Sequence, residues 1–440
     1  MKEESLRPTA ENVKVESSPT SEKQRFAILD VLRGLALMGI ALANFPEFGL
    51  WTFLGGEEQA AMPTASIDKV VRFLQYMLVD GKFYTIFSIL FGIGFSLILA
   101  HHGRRLFARR MVILVGMGFL HLMFIWSGDI LLLYAIGGLL LTLFVKMGDR
   151  RLLAIAVSLI LVPVALDALT EFGGVDFARP FYEKWWAVAT ANGITEGNFA
   201  TWLRDADSYG EVFAFLRQGA CERMWEFVEG HRLPKVLGLF IMGYLMGKHR
   251  LFARLHELPL RRMLLFSLII ALPTSLLYAW SATTGHPWGR TAHAALYAAS
   301  VIPMALSYAV SLCMLYRHRP DRSVWSWLAA PGRMALSCYI GQSLIGVFLF
   351  YGIGMGLGLS QGLVCIELTA LLVFLLQIVL CRCWLYFFRF GPLEWLWRLA
   401  TYGHYFSIRR NNKQHWRMTE WRGYDVSEGD GKEAKTSGKE

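Results

Sequence analysis

A histidine inside an apolar stretch is the first residue in this chain that could do chemistry. His121 sits in GFLHLMFIWSGD, about two helical turns before a Ser127-Gly128-Asp129 turn. Neutral imidazole titrates near physiological pH, which suits proton transfer; a histidine in an apolar helix also serves as a hydrogen-bonded packing residue. Asp129 follows eight residues later. On an unbroken helix about 12 Å of rise would separate the two, so a direct bond requires the helix to end early or the turn to fold back. Asp129 equally suits the N-cap of the next helix. Glu367, in LVCIELTALLV, is a carboxylate in an apolar run and wants a partner, because ionisable groups at membrane depth are costly. Gln342, Ser343 and Tyr134 are further polar groups in such runs. They could share one cavity or pack helices together through hydrogen bonds.

A second set lies in RFAILDVLRGLALMGIALANFPEFGLW, residues 25–51. Asp30 and Arg33 are one turn apart near its start, and Asn44 is near its end. The two ionisable groups either line a protein interior or pair i,i+3 at the interface while Arg33 snorkels toward lipid phosphates. The sequence contains no GxxxxGK[ST] phosphate loop, no HExxH and no CxxC, so neither a nucleotide-driven pump nor a metal centre is indicated.

The elements that must position these residues are membrane helices. The 440 residues are 55% hydrophobic and only 18% charged, too apolar for an ordinary soluble enzyme. Mean hydropathy is +0.39. Apolar runs of roughly 20 residues, long enough to cross a hydrocarbon core, recur along most of the chain. The fold expected is an all-α, polytopic transmembrane bundle of about ten spans with interfacial amphipathic helices. Residues 1–24 read as a disordered tail, 25–171 as spans one to five and 172–234 as an extracytoplasmic loop whose second half is an amphipathic helix along the membrane. Residues 235–385 supply spans six to ten, 386–409 a cytoplasmic interfacial helix and 410–440 a second disordered tail. A short amphipathic helix is expected at 66–80, with Ile67, Val70, Val71, Leu74 and Met77 as its apolar face.

The net charge of +10 follows from topology and needs no nucleic-acid partner. HHGRRLFARR, KMGDRR, KHRLFARLHELPLRR and YRHRPDRSVWSWLAAPGR all fall on one side, whereas SGD, TTGHPWGR and GMGLGLSQ on the other hold a single Arg. By the positive-inside rule both termini are cytoplasmic.

RFAILDVLRGLALMGI, DGKFYTIFSILFGIGFSL, HLMFIWSGDILLLYAIGGLLL, GRMALSCYIGQSLIG and FGPLEWLWRLATYG together resemble the bacterial YeiB family, defined by domain of unknown function 418, over roughly residues 25–405. The opening LDVLRGLAL…N is also similar to transmembrane acyltransferases of the heparan-glucosaminide acetyltransferase type. Those enzymes move an acetyl group from cytosolic acetyl-CoA to a sugar across the membrane. Asp30, Arg33 and Asn44 match that opening, but no His lies between Asn44 and His101, where those enzymes carry a catalytic one.

The resemblance implies an acyltransferase that uses acyl-CoA and an extracytoplasmic glycan or other envelope acceptor. His121 would be its base or acyl relay, Asn44 would orient the acceptor or stabilise an oxyanion, and Glu367 and Asp129 would join them. Arg33, with Asp30 and the basic-loop Arg104, Arg105, Arg109 and Arg110, would hold the donor's phosphates. The competing reading is a small-molecule transporter whose polar residues line a transmembrane path. His121, Glu367 and Asn44 are expected to meet in one outward cavity. Reporter fusions after Arg110, Arg151, Arg262 and Arg322 should read as cytoplasmic and a fusion near Asn198 as exterior. A cytoplasmic signal at Asn198 would overturn this topology.

Overall fold

Leu, Ile and Phe run through nearly every helix of this chain, and the helices hide them on one side only. The computed structural model describes residues 26–320 and 322–410. The tail expected at 1–24, and all but the first residue of the tail expected at 410–440, lie outside the described residues. The helices are α1 (Ala27–Phe48), α2 (Gly56–Ala61), α3 (Ala65–Leu78), α4 (Lys82–Phe124), α5 (Leu131–Leu141) and α6 (Asp149–Gly173). A layer of α7 (Arg179–Ala191), α8 (Phe199–Asp205) and α9 (Tyr209–Glu229) follows. Then come α10 (Arg232–Lys248), α11 (Leu260–Thr283), α12 (Arg290–His318), α13 (Ser323–Arg333), α14 (Ala335–Phe350), α15 (Leu363–Phe387) and α16 (Pro392–Tyr402). Among the described residues the β structure is one isolated bridge, Phe388 to Arg409.

Large apolar side chains cover the outside of the bundle. Phe266 on α11 is 70% exposed and Leu372 on α15 is 68% exposed, each among exposed Leu and Ile neighbours. Apolar surface on that scale is stable only against lipid. Six described helical segments are long and apolar enough to cross a membrane, or seven if α13 and α14, bent by 75° at their junction, count as one. This is a multi-pass, all-α membrane protein.

The sequence expectation of about ten spans is not reached, for a physical reason. Every expected span is helical, but α5 has 11 residues and rises only about 17 Å, too little for a core of about 30 Å. The 17 residues of α10 form another short helix, packed between α4 and α6. The basic loop expected between spans two and three is where α4 breaks, at Gly103 (φ +74°), so that helix holds both spans as expected. Phe95 and Phe107 flank that break with ring centroids 4.3 Å apart, whereas 12 residues of straight helix would separate them by about 18 Å. The chain therefore doubles back there, a turn that only glycine makes without strain.

α1 lies at the centre, packed on α4, α13, α14 and α15. Its Gly34 faces the backbone of α13, where a Cβ would stand 1.9 Å from the Leu328 carbonyl oxygen. Gly332 of α13 returns the contact against the Asp30 carbonyl oxygen, also at 1.9 Å. Two small residues thus let the helix backbones touch. α3 is amphipathic as expected: Ile67, Val70 and Leu74 point outward, and buried Asp68 accepts the Val364 backbone N–H at 2.9 Å, starting α15. α9 departs from expectation. Its buried Val212, Phe215 and Leu216 pack into protein, with α7 and α4 as neighbours, so it roofs the bundle instead of lying along a membrane.

Gly332→Ala should lower stability by roughly 1–3 kcal/mol, because backbone atoms cannot yield as a side chain would. Gly116→Ala has open space within 4 Å and should be neutral or stabilise by up to about 1 kcal/mol. Thermal unfolding in detergent measures both; equal midpoints would refute the close-contact account.

Candidate functional site

α4 stops one turn after His121. The backbone N–H groups of Ile125 and Trp126 both turn back to the His121 carbonyl, at 3.0 and 2.9 Å, and the chain folds over instead of continuing the helix. The 12 Å separation expected on an unbroken helix is thereby removed. His121 Nδ1 and Asp129 Oδ1 lie 2.9 Å apart. The other carboxylate oxygen, Oδ2, accepts the Leu132 N–H at 2.7 Å and so caps the first turn of α5. Asp129 thus caps α5 as its position suggested and also bonds His121, which the straight-helix spacing weighed against.

The second imidazole nitrogen, Nε2, is 3.0 Å from the Ser343 hydroxyl of α14. An ionised carboxylate only accepts, so Asp129 holds the proton on Nδ1 and leaves a lone pair on Nε2, toward which Ser343 donates. One turn earlier on α14, Tyr339 closes the same loop. Its hydroxyl donates to the Gly128 carbonyl and accepts the Ile130 N–H, both at 3.3 Å. His121, Asp129 and Ser343 are each about 1% exposed.

Above this group, Arg223 of α9 reaches down into the turn. Its Nε donates to the Ser127 carbonyl at 2.7 Å, and its guanidinium pairs with Glu226 and, at 3.5 Å, with Glu47 of α1. Burial, then the nearby Glu226 and Glu47 charges, push the Glu222 carboxyl well above the ordinary glutamate range, against the opposing pull of Arg223.

On the other side lies a cavity of about 550 Å³ between α1, α4, α14 and α16. Arg33, Arg110, Arg250, Arg333 and Arg398 line it together with Asp30 and Glu394. Three of the segments that the sequence places on the basic side, with α16, therefore share one chamber. Asp30 is buried and bonded to Arg33 at 2.8 Å, so this pair faces protein, not lipid. Trp397 of α16 donates to the Arg110 carbonyl at 2.9 Å while the Arg110 guanidinium lies 3.8 Å over its ring. The expected interfacial helix is thus a wall of the cavity. Tyr339 and Ile130 also line it and touch the buried group, Tyr339 with its ring centroid 5.3 Å from that of His121.

Other expected site residues are placed elsewhere. Asn44 is half-buried and Glu367 has two enclosed carboxylate oxygens without a hydrogen-bond partner among the described residues. Among the described residues neither bonds to His121, and neither lines this cavity. Arg104 and Arg105 sit exposed in the hairpin tip just past Gly103, off the cavity wall. Sequence reasoning missed Tyr339, Arg223, Arg333 and Arg398; Tyr339, Arg333 and Arg398 lie inside the motifs of the family resemblance, but nothing in those motifs assigned them a site role, and Arg223 lies in none.

The family model described as protein of unknown function (DUF418) matches residues 246–404, the stretch that carries Tyr339 and Ser343. Over 398 residues the chain is 30% identical to the uncharacterized protein YeiB of Escherichia coli (strain K12), covering 86% of this chain and 96% of that protein. The chain belongs to the YeiB family. This YeiB-family chain is also 27% identical over 417 residues to the uncharacterized protein YxaH of Bacillus subtilis (strain 168), covering 90% of the chain and 98% of YxaH. No solved structure matches it. His121 and Asp129 lie before the stretch that the family model matches, and Ser343 lies within it.

A carboxyl raised by folding costs stability as pH climbs through its folded value; below its unfolded value of about 4.3 the cost is absent. Glu222→Gln should therefore unfold at a higher temperature than the parent at about pH 8 and at the same temperature near about pH 4. A variant less stable at the higher pH would refute this reading of the α9 cluster.

Proposed function

We propose that this YeiB-family protein is a transmembrane acyltransferase that takes an acyl group from cytosolic acyl-CoA and passes it to an extracytoplasmic acceptor such as an envelope glycan. One observation carries the reading: an arginine-lined cavity ends at Tyr339, against a carboxylate-held histidine. Acyl transfer needs these two parts together, a site for a large anionic donor and a base at its reactive end. In this reading the membrane is the bacterial cytoplasmic membrane, the termini and the cavity face the cytoplasm, and the layer of α7, α8 and α9 faces outward. The basic connections on the cavity side support that orientation.

The residues divide the work as their chemistry dictates. Arg33, Arg110, Arg250, Arg333 and Arg398 present planar donors suited to phosphate oxygens. The apolar wall from Phe87, Phe91 and Leu114 receives an acyl chain and excludes water. His121 accepts a proton on Nε2, and Asp129 keeps the imidazole in the right tautomer and stabilises the imidazolium. Arg223 holds the Ser127 carbonyl and with it the turn that carries Asp129. Asn44, Glu367, Arg104 and Arg105 take no part in this reading.

The test is direct. Purified protein in nanodiscs should bind acetyl-CoA saturably, and Arg33→Gln should weaken that binding by about tenfold or more. His121→Ala and His121→Gln should bind normally but lose transfer of the labelled acyl group, because glutamine keeps a hydrogen bond and cannot carry the proton. Absence of CoA binding by the parent protein, or undiminished transfer in both His121 variants, would overturn the proposal.

A further inference from the structure

We propose that Ser343 is the acyl-carrying nucleophile of this site, so that transfer runs in two steps through an ester on α14. This rests on the acyltransferase reading and goes beyond it, since a base alone could serve a direct transfer from donor to acceptor. The geometry argues against direct transfer. A base must meet the proton it removes, and Asp129 occupies Nδ1 of His121, leaving only Nε2. That position is filled by the Ser343 hydroxyl at 3.0 Å. Whatever His121 activates first is therefore Ser343. A hydroxyl on an imidazole whose far side is held by a buried carboxylate is the general arrangement for making a weak nucleophile strong.

Three further observations agree. Ser343 has another acceptor, the Tyr339 carbonyl one turn back, but at 3.3 Å that contact is longer than the one to His121. The three groups come from separate elements, the end of α4, the turn after it and α14, and each is buried to about 1% exposure. Tyr339 lines the cavity and also touches the buried group, its carbonyl accepting from Ser343 and its ring lying beside His121, so the donor cavity and the serine adjoin the same residue.

The chemistry balances without any redox partner. In the first step Ser343 Oγ attacks the thioester carbonyl carbon while His121 Nε2 takes the hydroxyl proton. The carbon–sulfur bond breaks and the departing thiolate takes that proton, leaving free thiol and a serine ester. In the second step an acceptor hydroxyl gives its proton to Nε2 and its oxygen attacks the ester. The carbon–Oγ bond breaks and the proton returns to Ser343. The sum is acyl thioester plus alcohol giving ester plus thiol.

The experiment incubates full-length protein in nanodiscs with acetyl-CoA and no acceptor, followed by intact-mass analysis and peptide mapping. One acetyl group per chain should appear on Ser343, with a stoichiometric burst of thiol. Ser343→Ala should show neither and should transfer roughly 10²–10⁴-fold more slowly. Ser343→Cys should trap the acyl group as a thioester released by neutral hydroxylamine, a signature that a packing hydroxyl would not produce. The proposal is overturned if Ser343→Ala retains transfer within a few-fold while His121→Ala loses it; that outcome leaves the acyltransferase reading standing with direct transfer. It is overturned equally if the parent protein transfers acyl groups with no burst and no adduct. Loss of CoA binding by the parent protein would instead refute the acyltransferase reading itself. Should Ser343→Ala fail to fold, the burst and the adduct in the parent protein still decide.

Discussion

The carboxylate of Asp129 is committed to two elements at once, and the centre of the molecule depends on that. Oδ1 meets His121 at 2.9 Å and Oδ2 meets the Leu132 N–H at 2.7 Å. A buried carboxylate without such partners would cost several kcal/mol, so each contact stabilises its element because the alternative is an unsatisfied charge. The first bond fixes where α4 may end and which imidazole nitrogen carries the proton. The second fixes where α5 begins. Removing the carboxylate would leave both a helix start and a histidine tautomer undetermined, so structure and chemistry here share one residue.

α14 has its own constraint. It starts inside the bundle after a 75° bend from α13, which leaves its first amides without helical partners. Glu394 of α16 supplies them, accepting the N–H groups of Leu336 and Ser337 at 2.7 and 3.1 Å. A helix broken at this depth survives because protein, not lipid, satisfies its backbone. The α1–α13 contact through Gly34 and Gly332 holds the preceding segment hard against α1. Between them these contacts set the direction in which α14 presents Tyr339 and, one turn further, Ser343. They also make α16, a surface helix by its sequence, a structural part of the cavity wall.

How much of this was legible follows from the range of each signal. Hydropathy acts locally, so the helices and their order could be read from the chain, and the reversal at Gly103 falls inside the basic loop expected between spans two and three. Whether Asp30 and Arg33 face protein or lipid stayed open, and apolar length does not reveal that α5 is too short to cross. His121 and Asp129 stood out as ionisable groups in apolar surroundings, but their bond depends on where a helix stops. That is decided by carbonyl and amide partners outside any periodic pattern. Ser343 lies 222 residues from His121, and nothing local distinguishes it from a serine that packs two helices. For Asn44 and Glu367 only depth was legible. Similar depth in the membrane suggested a shared chamber, whereas depth fixes only one of the three coordinates that bring side chains together.

On the proposed reading, a buried relay serves a reaction divided by a membrane. On that reading the arginines face the end where a phosphate-bearing donor arrives, and the acceptor comes from the opposite end, under α9. Neither substrate need cross if the reacting atoms meet between them. His121, Asp129 and Ser343 occupy that middle position, with the arginine-lined cavity on one side and Arg223 of α9 on the other. Dry surroundings strengthen every charge contact there and keep water from competing for an activated acyl group. On the proposed reading, Tyr339 guards the cavity side and the Arg223-held turn the other, so the acyl group is always covered by one of them. The same burial that makes the group costly to fold is what would make it useful as a relay.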